Sequence, residues 1–314
     1  MISVICPVLN EEKYIEQLLQ SYQNSSVSEK ELFIIDGGSA DRTTEIVDEY
    51  KSRDSSIRLI HNEKKYVPFA LNLAIQLCNG DYIVRLDAHT TYAHDYFERI
   101  LEAFDSSGAE IVGGPMRSIG VNNFQKAVAY STSTQLGVGN SSFHYEDFIG
   151  YTDSVYLGAW KKEIFNSIGH FDEQMIRNQD DEFHYRAKSA GLRIYQDPKI
   201  VSYYYPRDSW RKLFSQYYQY GLYKPLVIRK IRSQVKPRHI VPALFTVYSF
   251  TLPIGVMGSW AYGIPLMLYG MLLLKFSFIN QLNWRAKFYC LLVYPTLHIA
   301  YGAGFLRGLI QQVK

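Results

Sequence analysis

The sequence predicts an α/β fold: a mainly parallel sheet with helices on both faces, followed by basic and apolar helices. Three observations predict it. Short apolar runs alternate with helical patterns through the first half, three of those runs end in carboxylates, and every acidic residue lies before Ser209. Strands alternating with helical segments build parallel sheets, and such sheets bind ligands at the carboxyl ends of their strands.

Each element follows in order. Ile2–Cys6 reads as a buried strand, and Ile15, Leu18, Leu19 and Tyr22 then recur at helical spacing. Leu32–Asp36 is the second strand, with Ile46, Val47 and Tyr50 marking the next helix. Ile57–Ile60, a helix near Phe69–Cys78, and the strand Tyr82–Leu86 come next. Phe97, Ile100, Leu101 and Phe104 form another helical face before a strand at Ile111–Gly113. The region from Gly114 to Asp208 is less regular. It holds an apolar stretch ending at Trp160, an acidic helix start at Gln179-Asp180-Asp181-Glu182, and short strands at Leu192–Tyr195 and Val201–Tyr205.

The net charge of +3 conceals an asymmetry: all 30 Asp and Glu precede Ser209, and 13 of the 33 Lys and Arg follow Asp208. A carboxylate-free segment suits an anionic partner, either nucleic acid or a membrane surface. Residues 209–239 read as basic, Tyr-rich amphipathic helices. Ile240–Leu274 carries no charge, and neither does Phe288–Leu306. Such runs meet the length of a membrane span. Pro253, Gly255, Gly258 and Pro265 break the first into a hairpin of two short spans or a re-entrant pair, so two or three spans are expected within residues 240–314. Membrane-length runs beside the charges argue against nucleic acid. Lys and Arg at 229, 230, 232, 236 and 238 precede the first span, which places residues 1–208 on the cytoplasmic side of the cytoplasmic membrane. The start Met1-Ile-Ser-Val-Ile-Cys6-Pro7 does not read as a signal peptide. Cys6, Cys78 and Cys290 lie far apart in apolar runs and suit a reducing compartment.

Chemistry concentrates where strands end. Asp87-Ala88-His89, read as extended, puts a carboxylate and an imidazole on one side of the chain, where they can grip one Mn²⁺ or, less ideally, Mg²⁺. A lone D-x-H is as readily a turn beside an unrelated His. Asp36-Gly37-Gly38-Ser39 offers a carboxylate to a pyrimidine N–H, or a strand–turn–helix connection capped by Ser39 or Asp41. Asn10-Glu11-Glu12 is either part of the site or a helix first turn, where acids are favoured. Asp180, at a helix start, is a candidate general base, and its cluster is equally a set of solvated helix charges.

Together these pieces resemble the inverting family 2 glycosyltransferases of GT-A fold. The residues that carry the likeness are Pro7-Val8-Leu9-Asn10-Glu11-Glu12, Ile35 to Thr43, Ala70-Leu71-Asn72, Gly80-Asp81-Tyr82-Ile83, Asp87-Ala88-His89 and Gln179-Asp180-Asp181-Glu182. The likeness is nearest to the succinoglycan type of bacterial exopolysaccharide glucosyltransferases. It implies that Pro7, Leu9, Asn10, Glu11, Asp36, Asn72 and Asp87 bind the nucleotide sugar, a UDP-hexose. It further implies that Asp87 and His89 hold the metal, that Asp180 is the base, and that Trp160, Gln179, Gln216 and Tyr217 face the acceptor. Gln216-Tyr217-Tyr218-Gln219-Tyr220 lacks the Arg and Trp of the Q-x-x-R-W of processive synthases. That departure favours addition of one sugar to a lipid-linked saccharide. A processive synthase and a non-catalytic membrane scaffold are the alternatives. A nucleotidyltransferase would need a Gly-rich basic loop where Asn10-Glu11-Glu12 stands.

Overall fold

The structure, a computed structural model, describes residues 1–231 and 235–311. The chain begins with β1 (Ile2–Val8), α1 (Ile15–Gln23), β2 (Lys30–Asp36), α2 (Thr43–Lys51), β3 (Ile57–His61), α3 (Val67–Leu77) and β4 (Tyr82–Arg85). Next come β5 (Thr90–Tyr92), α4 (Tyr96–Ser107), β6 (Ile111–Gly114), β7 (Arg117–Ser118), α5 (Asn123–Ser131) and α6 (Gln135–Val138). The middle region continues with β8 (Gly150–Tyr151), β9 (Tyr156–Lys161), α7 (Ile164–Ile168), α8 (Gln179–Ser189), β10 (Ile194–Gln196) and β11 (Ser202–Tyr204). Four long helices close the chain: α9 (Trp210–Lys230), α10 (Pro237–Gly258), α11 (Ile264–Phe278) and α12 (Trp284–Ile310).

The main sheet has eight strands in the order β3-β2-β1-β4-β9-β6-β10-β8. β1, β2, β3 and β4 pair in parallel, as do β6 and β10. β9 runs antiparallel between β4 and β6, and β8 antiparallel to β10. The expectation of a mainly parallel sheet holds, with the apolar stretch ending at Trp160 inserted against the common direction. Alternate residues serve two cores. Val4, Cys6, Leu32, Ile34 and Val84 pack under α1 and α4, while Ile5, Phe33, Ile35 and Ile83 pack under α3 and α8. Burial on both faces is why these strands read as continuous apolar runs.

Strand order reverses at β1. The chain steps to β2 and β3 on one side and returns to β4 on the other. The carboxyl ends of β1 and β4 therefore flank a topological switch point, the place where open α/β sheets bind ligands.

The chain divides into two compact units, residues 1–117 with 145–204, and residues 118–144 with those after Tyr204. This differs from the expected boundary at Asp208, because 118–144 pack with the C-terminal helices. Phe124, Ala127 and Val128 of α5 share a buried cluster with Leu213 of α9 and Cys290, Val293, Tyr294 and Leu297 of α12. The expected basic segment 209–239 forms one helix, α9, and the start of α10. Arg232, counted among its charges, lies outside the described residues. Among the described residues three stretches are long and apolar enough to cross a membrane: Pro237–Gly258, Trp260–Phe278 and Trp284–Ile310.

Trp160 anchors the second core, 1% exposed. Its ring meets those of Phe165, Phe171 and Phe183 with centroids 6.2, 5.5 and 6.2 Å away. Aromatic clusters of this size carry a large share of core stability. Replacement Phe183→Ala is expected to cost about 3–5 kcal/mol, read as a drop in the denaturant midpoint of the catalytic unit; an unchanged midpoint refutes this account of the core.

Candidate active site at the strand ends

The loop after β1 is built against the loop after β2. Asn10 adopts a left-handed conformation, φ 57°, which a short amide side chain tolerates. Its N–H donates to Ser39 Oγ at 2.9 Å, and its Oδ1 accepts from the Ala40 N–H at 2.8 Å. The Glu11 N–H donates to Thr43 Oγ1 at 2.8 Å, and the Glu12 N–H to Asp41 Oδ2 at 3.2 Å. Asp36, 4% exposed, accepts the N–H groups of Gly38 and Ser39 at 2.9 and 3.1 Å. Gly38 takes φ 89°, where a side chain would be strained. Asp36 thus caps its own turn, with His61 Nδ1 a further 3.7 Å away. Pro7 is half-buried at the end of β1, and Leu9 is exposed beside it.

Across the switch point, Glu11 Oε1 meets His89 Nδ1 at 3.2 Å. A proton on Nδ1, donated to Glu11, leaves the lone pair on Nε2, the tautomer a metal ligand needs. Asp87 lies beyond β4, bound to Arg85 through Nε at 3.1 Å and Nη2 at 3.0 Å. The Asp87-Ala88-His89 segment is not extended, as expected, but a turn closed by the Thr90 N–H on the Asp87 carbonyl at 3.2 Å. Tyr92 OH fastens it by accepting the Asp87 N–H at 2.8 Å and donating to the Asp87 carbonyl.

Arg85 went unread, although a lone charge inside the apolar run Tyr82–Leu86 was visible. Burial works against its charge, but the carboxylates of Asp87 and then Asp180 outweigh burial and hold its pKa above the ordinary value. The same crowding of carboxylates acts on neighbours. Burial, then Asp87 and Glu11, push the Cys6 thiol up, and burial, then Asp87, push the Tyr156 phenol up.

Asp180 is exposed in the first turn of α8, behind Asn178 in a left-handed conformation. Of the cluster read as solvated, Glu182 is instead buried and paired with Arg186, Nε to Oε1 at 2.9 Å. Five of the expected contact residues sit elsewhere. Trp160 and Gln179 are buried, 1% and 7% exposed, so neither presents a face to an acceptor. Asn72 clamps the Phe171 backbone, accepting its N–H and donating to its carbonyl, both at 2.9 Å. Gln216 donates to Tyr220 OH at 3.0 Å and Tyr217 packs against the helical cluster, both in the second unit.

Among the described residues no group of three or more His, Cys, Asp or Glu is gathered to hold a metal. The donors the sequence offers, Asp87 and His89, sit in one turn and number two. Such a set fits a hard divalent ion that keeps phosphate oxygens and water as its other ligands, and not an all-protein cage.

A carboxylate-rich rim at the switch point of an open α/β sheet defines a ligand-binding site by its place in the fold. The family model for glycosyl transferase family 2 matches residues 3–169, and the chain belongs to that family. It is 31% identical to the succinoglycan biosynthesis protein ExoA of Rhizobium meliloti (strain 1021), over 98% of this chain and 94% of that one. It is 33% identical to the dolichyl N-acetyl-alpha-D-glucosaminyl phosphate 3-beta-D-2,3-diacetamido-2,3-dideoxy-beta-D-glucuronosyltransferase of Methanococcus voltae, over 73% of this chain and 74% of that one. The fold is shared with the mannosyltransferase PcManGT of Pyrobaculum calidifontis, solved with GDP-Man and Mn²⁺. The TM-score is 0.67 at 16% identity, covering 98% and 86% of the two chains. It is shared also with residues 1–349 of S. aureus TarS bound to UDP-GlcNAc, with a TM-score of 0.53 at 16% identity, covering 96% and 90%. The chain is a glycosyltransferase.

One buried group beside the site makes a test of its electrostatics. His184, one turn after Asp180, bonds Ser154 Oγ at 3.0 Å, and burial depresses its pKa from 6.5 to about 4. The folded chain therefore binds this proton less readily than the unfolded chain. Stability from this group is full above pH 6.5 and falls as pH drops toward about 4, by about 3 kcal/mol in all. The urea midpoint of the native chain should fall more steeply across that window than that of His184→Asn; equal slopes refute the assignment.

Proposed function

We propose that this enzyme moves one hexose from a UDP-hexose to a lipid-linked saccharide, with inversion, during synthesis of a cell-surface or exported polysaccharide. The work is done at the cytoplasmic face of the cytoplasmic membrane. The observation that carries the reading is the meeting of Glu11 and His89 across the switch point, 3.2 Å apart, beside Asp87. Support for the lipid-linked acceptor comes from the dolichyl phosphate in the name of the Methanococcus voltae relative and from the apolar helices. The Rhizobium meliloti relative supports polysaccharide synthesis, and the TarS complexes support a UDP-sugar.

Pro7, Leu9, Asn10 and Asp36 surround the base and ribose, at the rim where the two loops clasp. Asp87 and His89 hold Mn²⁺ or Mg²⁺, and Glu11 fixes the imidazole for that role. The ion, when bound, offsets the diphosphate charge and eases departure of UDP. Asp180 takes the proton from the acceptor hydroxyl, whose oxygen attacks the anomeric carbon opposite the leaving phosphate oxygen. The bond to UDP breaks as the new glycosidic bond forms, and an α-linked donor yields a β-linked product. Arg85 bonds Asp87 and lies in the field of Asp180, so its fixed charge offsets carboxylates from both elements.

Purified enzyme with Mn²⁺ is expected to hydrolyse a UDP-hexose slowly, and Asp180→Asn to lower kcat by about 10²–10⁴-fold with little change in donor KM. Retained activity in that variant removes Asp180 from the role of base, and turnover of GDP-sugars alone overturns the choice of donor. Chelation should abolish activity until Mn²⁺ is restored, and Glu11→Gln should raise the Mn²⁺ needed for half-maximal rate by about 10–100-fold. An unchanged requirement separates Glu11 from the metal.

A further inference from the structure

We infer that α12 does not cross the bilayer, that only the α10–α11 hairpin enters it, and that the chain ends on the side from which it enters. This rests on the membrane reading proposed above and adds a topology to it. By length and composition alone α12 is a span, Trp284–Ile310. Its packing says otherwise.

α9 and α12 run side by side and parallel. Trp210 Nε1 donates to Thr296 Oγ1 at 2.8 Å, and farther along Arg229 Nη2 donates to the Leu309 carbonyl at 2.8 Å. Between these ties the backbones touch. A Cβ on Gly304 would collide with the Tyr218 carbonyl, one on Gly308 with the Leu222 carbonyl, and one on Gly221 with the Tyr301 carbonyl. Gly304-x-x-x-Gly308 is a close-packing seam of the kind that holds helices together. Where α12 goes, α9 goes with it.

α9 cannot enter hydrocarbon at that level. Arg211 and Lys212 follow Trp210 directly and are exposed. They follow the residue tied to Thr296, which lies near the centre of the uncharged run Phe288–Leu306. Lys212 pairs with Asp208 at 2.9 Å, with side chains 60% and 52% exposed. A spanning α12 would hold this open ion pair and Arg211 near the bilayer midplane, where charges occur only when turned inward. One face of the first half of α12 is covered as well, with Ala286, Cys290, Val293 and Tyr294 fully buried. Asn283 bonds Asn123 at 2.9 Å, and Phe124 packs on Tyr289. Half of the apolar window of α12 is buried inside the protein, against 11% for α10 and 6% for Trp260–Phe278.

The hairpin is the opposite case. Ile254, Met257 and Trp260 are 77%, 88% and 78% exposed, and no charge occurs from Ile240 to Leu274. Lys236 and Arg238 stand at the start of the hairpin and Lys275 near its end, which puts both feet on the positive side. Two crossings and a re-entrant loop share one parity: both return the chain to its starting side.

The test is protease protection of the full chain carrying a short epitope at each end, in sealed inside-out vesicles washed with high salt. Loss of both epitopes is expected. Loss of the N-terminal epitope with the C-terminal one protected until detergent is added means three crossings and overturns the inference. Protection of both until detergent is added supports the parity while overturning the cytoplasmic orientation proposed above. Release of the protein by salt alone overturns hairpin insertion itself.

Discussion

Arg85 sits at the last position of β4 with a side chain only 12% exposed, and it is bound to Asp87 at 3.0 Å. A guanidinium cannot lose its charge, so burying it requires carboxylates close by. Asp87, just past the end of β4, bonds it directly, and the charge of Asp180, at the start of α8, adds to the field that holds it. One cation therefore ties two distant stretches of chain to one electrostatic centre. Without it, these carboxylates would have no fixed positive charge inside the sheet to offset their mutual repulsion.

The loops after β1 and β2 are organised by short-range hydrogen bonds instead. The loops after β1 and β2 exchange donors and acceptors through Asn10, Ser39, Ala40, Glu11 and Thr43. A residue such as Asp36 closes its own turn with the same oxygens that would meet a base. Holding the rim in place before a ligand arrives reduces the ordering needed on binding. The same double use means that a loss of donor affinity at Asp36 mixes lost contact with a loosened loop.

Much of the first unit was legible in the amino-acid pattern. Period and polar strand ends placed β1, β2, β4 and the start of α8 within a residue or two, and the candidate residues on them stand at those ends. Direction was not legible at β9, because a fully buried apolar run carries no mark of parallel or antiparallel pairing. Trp160 and Asn72 were misplaced for a related reason. An indole and an amide suit a sugar face and a core equally well, and only neighbours such as Phe171 decide. The pairing of α5 with α12 joins residues some 160 positions apart, such as Asn123 and Asn283. No local period reports a contact of that separation.

The excursion of residues 118–144 out of the sheet and back has a practical consequence. The chain passes between the two compact units three times, near Arg117, His144 and Tyr204. A soluble catalytic fragment made by stopping at Asp208 would keep α5 and lose the helices that cover it. Phe124, Ala127 and Val128 would then face water, an apolar patch that invites association of fragments. Excising the catalytic unit cleanly takes three cuts, after Arg117, His144 and Tyr204, with a short bridge from Arg117 to Tyr145 in place of the intervening helices.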